Sequence, residues 1–173
     1  MPSNIEIKAT LKNRRKVECI AAQLSDAGPE IIHQEDIFFP CNGARLKLRI
    51  LSPDRGELIR YERADVPDAR SSRYIIAGTS DPIALLEILN KTLGNIGSVK
   101  KARTLYLIGQ TRVHIDQVDK LGDFLELEVV LRRNQSEDEG KDIAEALLSK
   151  FGIDRTDLLS KAYIDLLKSQ PMG

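Results

Sequence analysis

The chain has 173 residues, 42% hydrophobic and 30% charged, with 26 basic and 26 acidic side chains and a formal net charge of zero. That is one domain's length, taken as residues 1–173, and enough to bury a core without disulfides or a structural metal. These numbers argue against a disordered chain and against a generic nucleic-acid binder, which would be basic overall. No apolar run approaches the roughly 20 residues of a membrane span. Two cysteines, Cys19 and Cys41, make no disulfide framework, and His33 and His114 lie too far apart in sequence to suggest a Cys/His zinc site. The start, Met1 to Glu6, carries no apolar signal segment, so the expected compartment is the cytoplasm.

In chain order, Ile5–Leu11 alternates apolar and polar residues and predicts a half-buried strand. Val17, Ile20, Leu24 and Ala27 recur at helical spacing; Asn13 suits the cap and Gly28-Pro29 the stop. Ile31–Phe39 reads as a strand, followed by turn chemistry in Pro40-Cys41-Asn42-Gly43. Arg45–Leu51 and Glu57–Arg63 read as a hairpin, and Arg70–Ala77 as the next strand. A helix over Pro82–Leu93 has Asp81 as cap and Gly94 at its exit. Three strands follow, Val99–Ile108, Thr111–Val118 and Phe124–Arg132. Ser136 and Glu139 form a capping box for a helix whose apolar face is Ile143, Leu147, Leu148 and Phe151 and whose end is Gly152. A last helix covers Lys161–Lys168. Regular β-helix-β alternation is missing, so the expected class is α+β with a mostly antiparallel sheet.

The strands alternate in an unusual way. Side chains alternate across a strand, so Arg45, Lys47 and Arg49 share one face and Leu46, Leu48 and Ile50 the other. Lys101 and Arg103 share a face, as do Arg112, His114 and Asp116, and Glu126 and Glu128. Asn4, Glu6 and Lys8 lie together, as do Arg70, Ser72 and Tyr74. For one strand alone, an amphipathic sheet with a solvated face is the commoner explanation. Together these faces separate charge by sign, cations on one strand and carboxylates on another. The candidate inward cations are Lys8, Arg45, Lys47, Arg49, Arg63, Arg70, Lys101, Arg103 and Arg112; the candidate acids are Glu6, Asp116, Glu126 and Glu128. Guanidinium forks match phosphate oxygens, and carboxylates suit hard cations, which points to a polyphosphate with Mg²⁺ or Mn²⁺. If the sheet curls into a barrel, these faces line its interior and helices cover the apolar outside. His114 is a candidate proton acceptor, with a structural role the commoner alternative.

In this order the pieces resemble the CYTH domain family, the triphosphate tunnel enzymes, over Ile5 to about Leu167, and within it class IV adenylate cyclase-like proteins. They are Ile5-Glu6-Ile7-Lys8, Gln34 to Phe39, Arg45 to Arg49, Leu58 to Arg63, Arg70/Ser72/Tyr74, Lys101/Arg103, and Arg112 to Asp116 continuing through Leu121-Gly122 to Glu128. The resemblance implies an eight-stranded antiparallel β-barrel forming a tunnel with a charged lumen and helices packed outside. It implies a divalent-metal enzyme converting ATP to cyclic AMP and pyrophosphate. The alternatives are a triphosphatase on inorganic triphosphate, thiamine triphosphate or nucleotides, and a catalytically weak binder of such ligands. By motif matching, Glu6, Asp116, Glu126 and Glu128 resemble metal carboxylates and, with Lys8, the catalytic set. Lys8, Arg45, Lys47, Arg49, Arg63, Arg70, Lys101, Arg103 and Arg112 resemble phosphate-binding cations. The expected partner is a small triphosphate, with no membrane and no nucleic acid; a homodimer is left open. One departure stands out: the signature Glu-x-Glu-x-Lys begins here with Asn4, read either as a changed ligand or as the frayed start of a strand.

Overall fold

The computed structural model describes residues 3–170; the ends of the expected 1–173 domain lie outside it. The elements run β1 (Ser3–Thr10), α1 (Arg14–Leu24), β2 (Ala27–Phe39), β3 (Arg45–Ser52), β4 (Arg55–Arg63), β5 (Arg70–Thr79), α2 (Pro82–Leu93), β6 (Gly97–Ile108), β7 (Thr111–Val118), β8 (Gly122–Val130), α3 (Glu137–Phe151), β9 (Leu158–Leu159) and α4 (Tyr163–Lys168). Pairing is antiparallel throughout, and β5 returns to β1, so the first eight strands close into a barrel. β1 shares its second edge: Ser3–Glu6 pairs with β5, while Lys8 and Ala9 pair with β9. Among the described residues no helix is long and apolar enough to cross a membrane.

The predicted caps form. Asn13 accepts from the Lys16 amide at 3.1 Å, Asp81 from the Ala84 amide at 3.0 Å, and Ser136 and Glu139 exchange both bonds of a capping box. Gly-Pro does not end α1, which stops at Leu24. Gly28 and Pro29 lie instead in β2, where the register with β6 shifts between Ala27 and Glu30. A Cβ on Gly28 would stand 2.7 Å from the Leu105 carbonyl oxygen, so close strand approach, not helix termination, needs the glycine.

The apolar strand faces point outward, under helices. Ile5, Ile7, Val113, Ile115, Leu125, Leu127 and Val129 pack with Val17 and Ala21 of α1 and Ala144, Leu147, Leu148 and Phe151 of α3. Gly140 lets α3 settle, since a Cβ there would lie 2.6 Å from Ile5 Cγ1. α2 covers Leu46, Leu48, Ile50 and Leu58 with Leu85, Leu86 and Leu89. At one end of the barrel the inward face turns apolar, and Phe38, Val99, Val118 and Phe124 pack with Ala162, Tyr163 and Ile164 at the start of α4. The ordinary barrel is thereby inverted, with aliphatics beneath the helices and ionic side chains within.

Candidate functional site

Strand alternation places the inner row of each strand on a cavity of about 560 Å³. Eight cations line it: Lys8, Lys47, Arg49, Arg55, Arg63, Lys101, Arg103 and Arg112. Six carboxylates do: Glu6, Glu30, Asp36, Glu57, Glu126 and Glu128. Ile32, Leu51, Ile59, Ile76 and Leu105 add an apolar portion. Ile31 (66% exposed) and Ile76 (49%) mark where it meets solvent.

Of the residues singled out from sequence, Arg45, Arg70 and Asp116 do not line this cavity. Arg45 shares the face of Lys47 and Arg49 but stands at the strand's start, where its Nη2 donates to Asp165 of α4 at 2.7 Å. Arg70 sits at the β1–β5 seam and donates to the carbonyls of Val66 and Leu159. Asp116 is fully enclosed (0% exposed) and accepts from Arg103 Nε at 2.7 Å, Arg103 Nη2 at 2.8 Å and the Tyr163 hydroxyl at 2.8 Å. Burial alone would raise its carboxyl, but Arg103 and Lys101 hold it well below the usual range. Asp116 thus aims Arg103 into the lumen. Arg45→Ala is expected to leave kcat/KM within about threefold and to cost at most about 1 kcal/mol, because the guanidinium braces α4 through a half-exposed pair; steady-state kinetics and urea unfolding of the variant read both.

Among the lining groups, Glu128 accepts from Arg112 Nε at 2.9 Å. Glu126 lies 3.9 Å from Lys8 Nζ and 3.7 Å from Arg103 Nη2. Glu6 is 3.7 Å from Arg63 Nη1. Burial, with Glu128 and Glu126 nearby, pushes Glu6 up to about 7. Burial holds His114 down to about 4, with Arg103 adding to the effect, so its ring is neutral at pH 7. One ligand atom each from His114, Glu126 and Glu128 lie within 4.8 Å of one another. Such a donor set fits a divalent cation. Nε and Nη2 of Arg63, on this wall, are buried without a hydrogen-bond partner among the described residues, as are those of Arg70 at the β1–β5 seam.

Asn4 is no frayed end. It is 2% exposed, paired to Ser72 on one side and Val130 on the other. Its amide meets the Tyr74 hydroxyl at 3.4 Å and, turned about its last bond, accepts from Arg112 Nη2 at 3.2 Å. A neutral acceptor therefore occupies the wall beside Glu6.

Two important groups escaped the sequence reading. Asp36 binds Lys47 Nζ at 2.8 Å and Arg49 Nε at 2.9 Å. Tyr163 closes the end of the lumen, with Lys8 Nζ 3.9 Å and Lys101 Nζ 4.9 Å from its ring centre. Asp36 had a signal, since it alternates with Gln34 and Phe38; Tyr163 had none, since nothing local says α4 folds over a barrel mouth.

Burial lowers Lys8 to about 8 and Lys101 to about 7, in the latter case with Arg103 adding to the effect. In the unfolded chain both lysines keep a proton to about pH 10. Between pH 8 and 10 the unfolded state therefore binds more protons, and stability rises with pH. The urea midpoint of the ligand-free protein is expected to increase from pH 8 to 9.5, and less so with triphosphate bound, since the anion keeps the lysines charged. A flat profile without ligand would contradict the lysine assignment.

A closed antiparallel barrel with a charged, metal-competent lumen is the class that fold and site define. The chain belongs to the CYTH domain family, whose model matches residues 3–163. Members of that family are enzymes acting on triphosphates, adenylate cyclase-like or triphosphatase, with divalent metals. The chain is 26% identical to a Methanocaldococcus jannaschii protein whose name proposes adenylate cyclase activity, over 94% of this chain and 97% of that one. The fold is similar to that of PH1012 from Pyrococcus horikoshii (TM-score 0.84, 24% identity, covering 94% of this chain and 98% of that one). It is also similar to a Hippeastrum protein described by a dominant triphosphatase activity (TM-score 0.66, 16% identity, covering 96% and 95%).

Proposed function

We propose that the chain is a divalent-metal-dependent enzyme that cleaves an organic triphosphate, with ATP the first candidate and ring closure to cyclic AMP and pyrophosphate the reaction. The observation that carries this reading is the row of cations lining the cavity, one of which, Arg63, keeps two buried donors, Nε and Nη2, without an acceptor among the described residues. Arg63, and the guanidinium hydrogens that Asp36, Asp116 and Glu128 leave free on Arg49, Arg103 and Arg112, would grip phosphate oxygens, and Lys8, Lys47 and Lys101 would add point charge. Glu126, Glu128 and His114, with Glu6 beside them, would hold the metal. When bound, Mg²⁺ or Mn²⁺ would offset charge on the phosphates and on the leaving group. The chain itself supplies position and field, fixed before substrate arrives by the Asp116–Arg103 and Asp36–Arg49 pairs. The apolar residues beside the charged row suit the non-phosphate part of an ester.

Hydrolysis is the second reading. The cavity reaches solvent at Ile31 and Ile76, so water is available as nucleophile, and the Hippeastrum likeness points the same way. Incubation with Mg²⁺ or Mn²⁺ and ATP, thiamine triphosphate or inorganic triphosphate separates the two: cyclic AMP with pyrophosphate for the first, orthophosphate for the second. Binding without turnover on every substrate would reject both and leave a binding protein. Glu128→Gln is expected to lower metal-dependent turnover on the order of 10²-fold with the unfolding midpoint little changed, because a charge leaves a polar lumen and no packed group is removed. Full activity in that variant would remove Glu128 from the metal site.

A further inference from the structure

We infer that the metal seat of this lumen is a mixed imidazole–carboxylate site, His114 Nδ1 with Glu126 and Glu128, and that it selects Mn²⁺ over Mg²⁺. This rests on the reading that the lumen binds a divalent ion, and adds which atoms take it and which ion they prefer. The pairing of β7 with β8 sets His114 directly opposite Glu126, with Glu128 two residues further along the same face. His114 Nδ1 stands 3.8 Å from Glu128 Oε1, too far for a hydrogen bond and near enough to share an ion. That nitrogen is buried and has no hydrogen-bond partner among the described residues. Buried ring nitrogens are nearly always satisfied, so an orphan beside two carboxylates marks a ligand's place. Both carboxylates have cations beside them on the same wall: Glu128 accepts from Arg112 Nε at 2.9 Å, and Glu126 lies 3.9 Å from Lys8 Nζ and 3.7 Å from Arg103 Nη2. Mg²⁺ keeps to oxygen ligands and gives up its waters reluctantly; Mn²⁺ is also served by carboxylates but, as a transition ion, takes an imidazole nitrogen more readily.

The test uses the whole protein without nucleotide. Mn²⁺ is titrated and followed by electron paramagnetic resonance, and pulsed spectra are searched for nitrogen coupling. Wild type is expected to show it and to bind Mn²⁺ on the order of 10²-fold tighter than Mg²⁺. His114→Gln is expected to lose the coupling and about tenfold in Mn²⁺ affinity, while Mg²⁺ affinity moves less than about threefold. Replacing His33, the chain's other histidine and also on the cavity wall, is expected to leave the coupling in place. Histidine labelled with ¹⁵N in the wild-type protein shifts the coupling without any substitution, which decides the matter even if the Gln variant fails to fold. Bound Mn²⁺ without nitrogen coupling would overturn this assignment and leave a carboxylate site. No Mn²⁺ binding, with or without added triphosphate, would overturn the metal-dependent reading along with it.

Discussion

Arg63→Met is expected to give a protein that is harder to unfold and nearly inactive. The Arg63 side chain is buried; its Nη1 is 3.7 Å from a Glu6 carboxylate oxygen, and Nε and Nη2 have no partner among the described residues. Its charge also presses on Lys8 and Arg70, both buried nearby. Desolvating a guanidinium with so little return costs folding free energy, and an apolar side chain of similar volume restores about 1–3 kcal/mol. Glu6 loses a partner in the exchange, but its carboxyl is already pushed up to about 7 by burial and by Glu128, and it rises further without Arg63. A raised acid contributes stability that is complete below its unfolded pKa and lost as pH rises through the folded one. The gain is therefore larger at pH 6 than at pH 9. Activity goes the other way. If Arg63 grips the phosphates, losing it lowers kcat/KM by about 10³, the scale on which a charge-stabilising arginine acts in phosphoryl transfer. Urea unfolding at two pH values and steady-state kinetics on the preferred triphosphate test both halves. A variant less stable than wild type, or one with full activity, would show that the unpartnered donors are not kept for a ligand.

Arg63 was legible through the resemblance, which includes Leu58 to Arg63; polarity alone does not mark its row, since Ile59 and Tyr61 share the cavity wall with it. Most of the lumen's other cations and three of its four expected carboxylates were legible from alternation, since a strand tells its two faces apart with no knowledge of the fold. What alternation cannot carry is position along the barrel axis. Arg45, Lys47 and Arg49 are equivalent in the pattern, yet Arg45 falls beyond the cavity, against Asp165. Asp116 shares a face with Arg112 and His114 but lies deep enough that Arg103 and Tyr163 use up its oxygens. Closure was legible through the family resemblance and not through the strands themselves: the β1–β5 seam is four residue pairs long, and β9 is two residues with no periodicity to detect. Gly28-Pro29 misled because the same dipeptide ends helices and interrupts strands, and only the nearness of Leu105 distinguishes the two. Asp36 went unread because a single acid between Gln34 and Phe38 carries no sign pattern; its importance lies across the sheet, on β3.

That residue gives the second large effect. Asp36→Asn is expected to lower stability by about 3–5 kcal/mol, the cost of breaking a buried ion pair from one side. Asp36 is 2% exposed, and its two oxygens accept from Arg49 Nε at 2.9 Å, Arg49 Nη2 at 3.1 Å and Lys47 Nζ at 2.8 Å. Burial works against its charge, but Arg49, Lys47 and Lys101 hold the carboxyl well below the usual range. A depressed acid contributes stability that is present above its unfolded pKa, near 4, and lost as pH falls through the folded one. Wild type should therefore destabilise below pH 4 by a component that the Asn variant lacks. The amide leaves Lys47 and Arg49 in the lumen with no anion between them. A triphosphate bound there would supply the missing charge, so saturating inorganic triphosphate should raise the melting temperature of Asp36→Asn more than that of wild type. Asp36 would then hold Lys47 and Arg49 in place before substrate arrives, and in the variant a bound triphosphate would take over that charge. Equal ligand-induced shifts in the two proteins would mean that Asp36 and the phosphates do not share Lys47 and Arg49, and an unchanged unfolding midpoint would mean that the pair is not what holds β2 to β3.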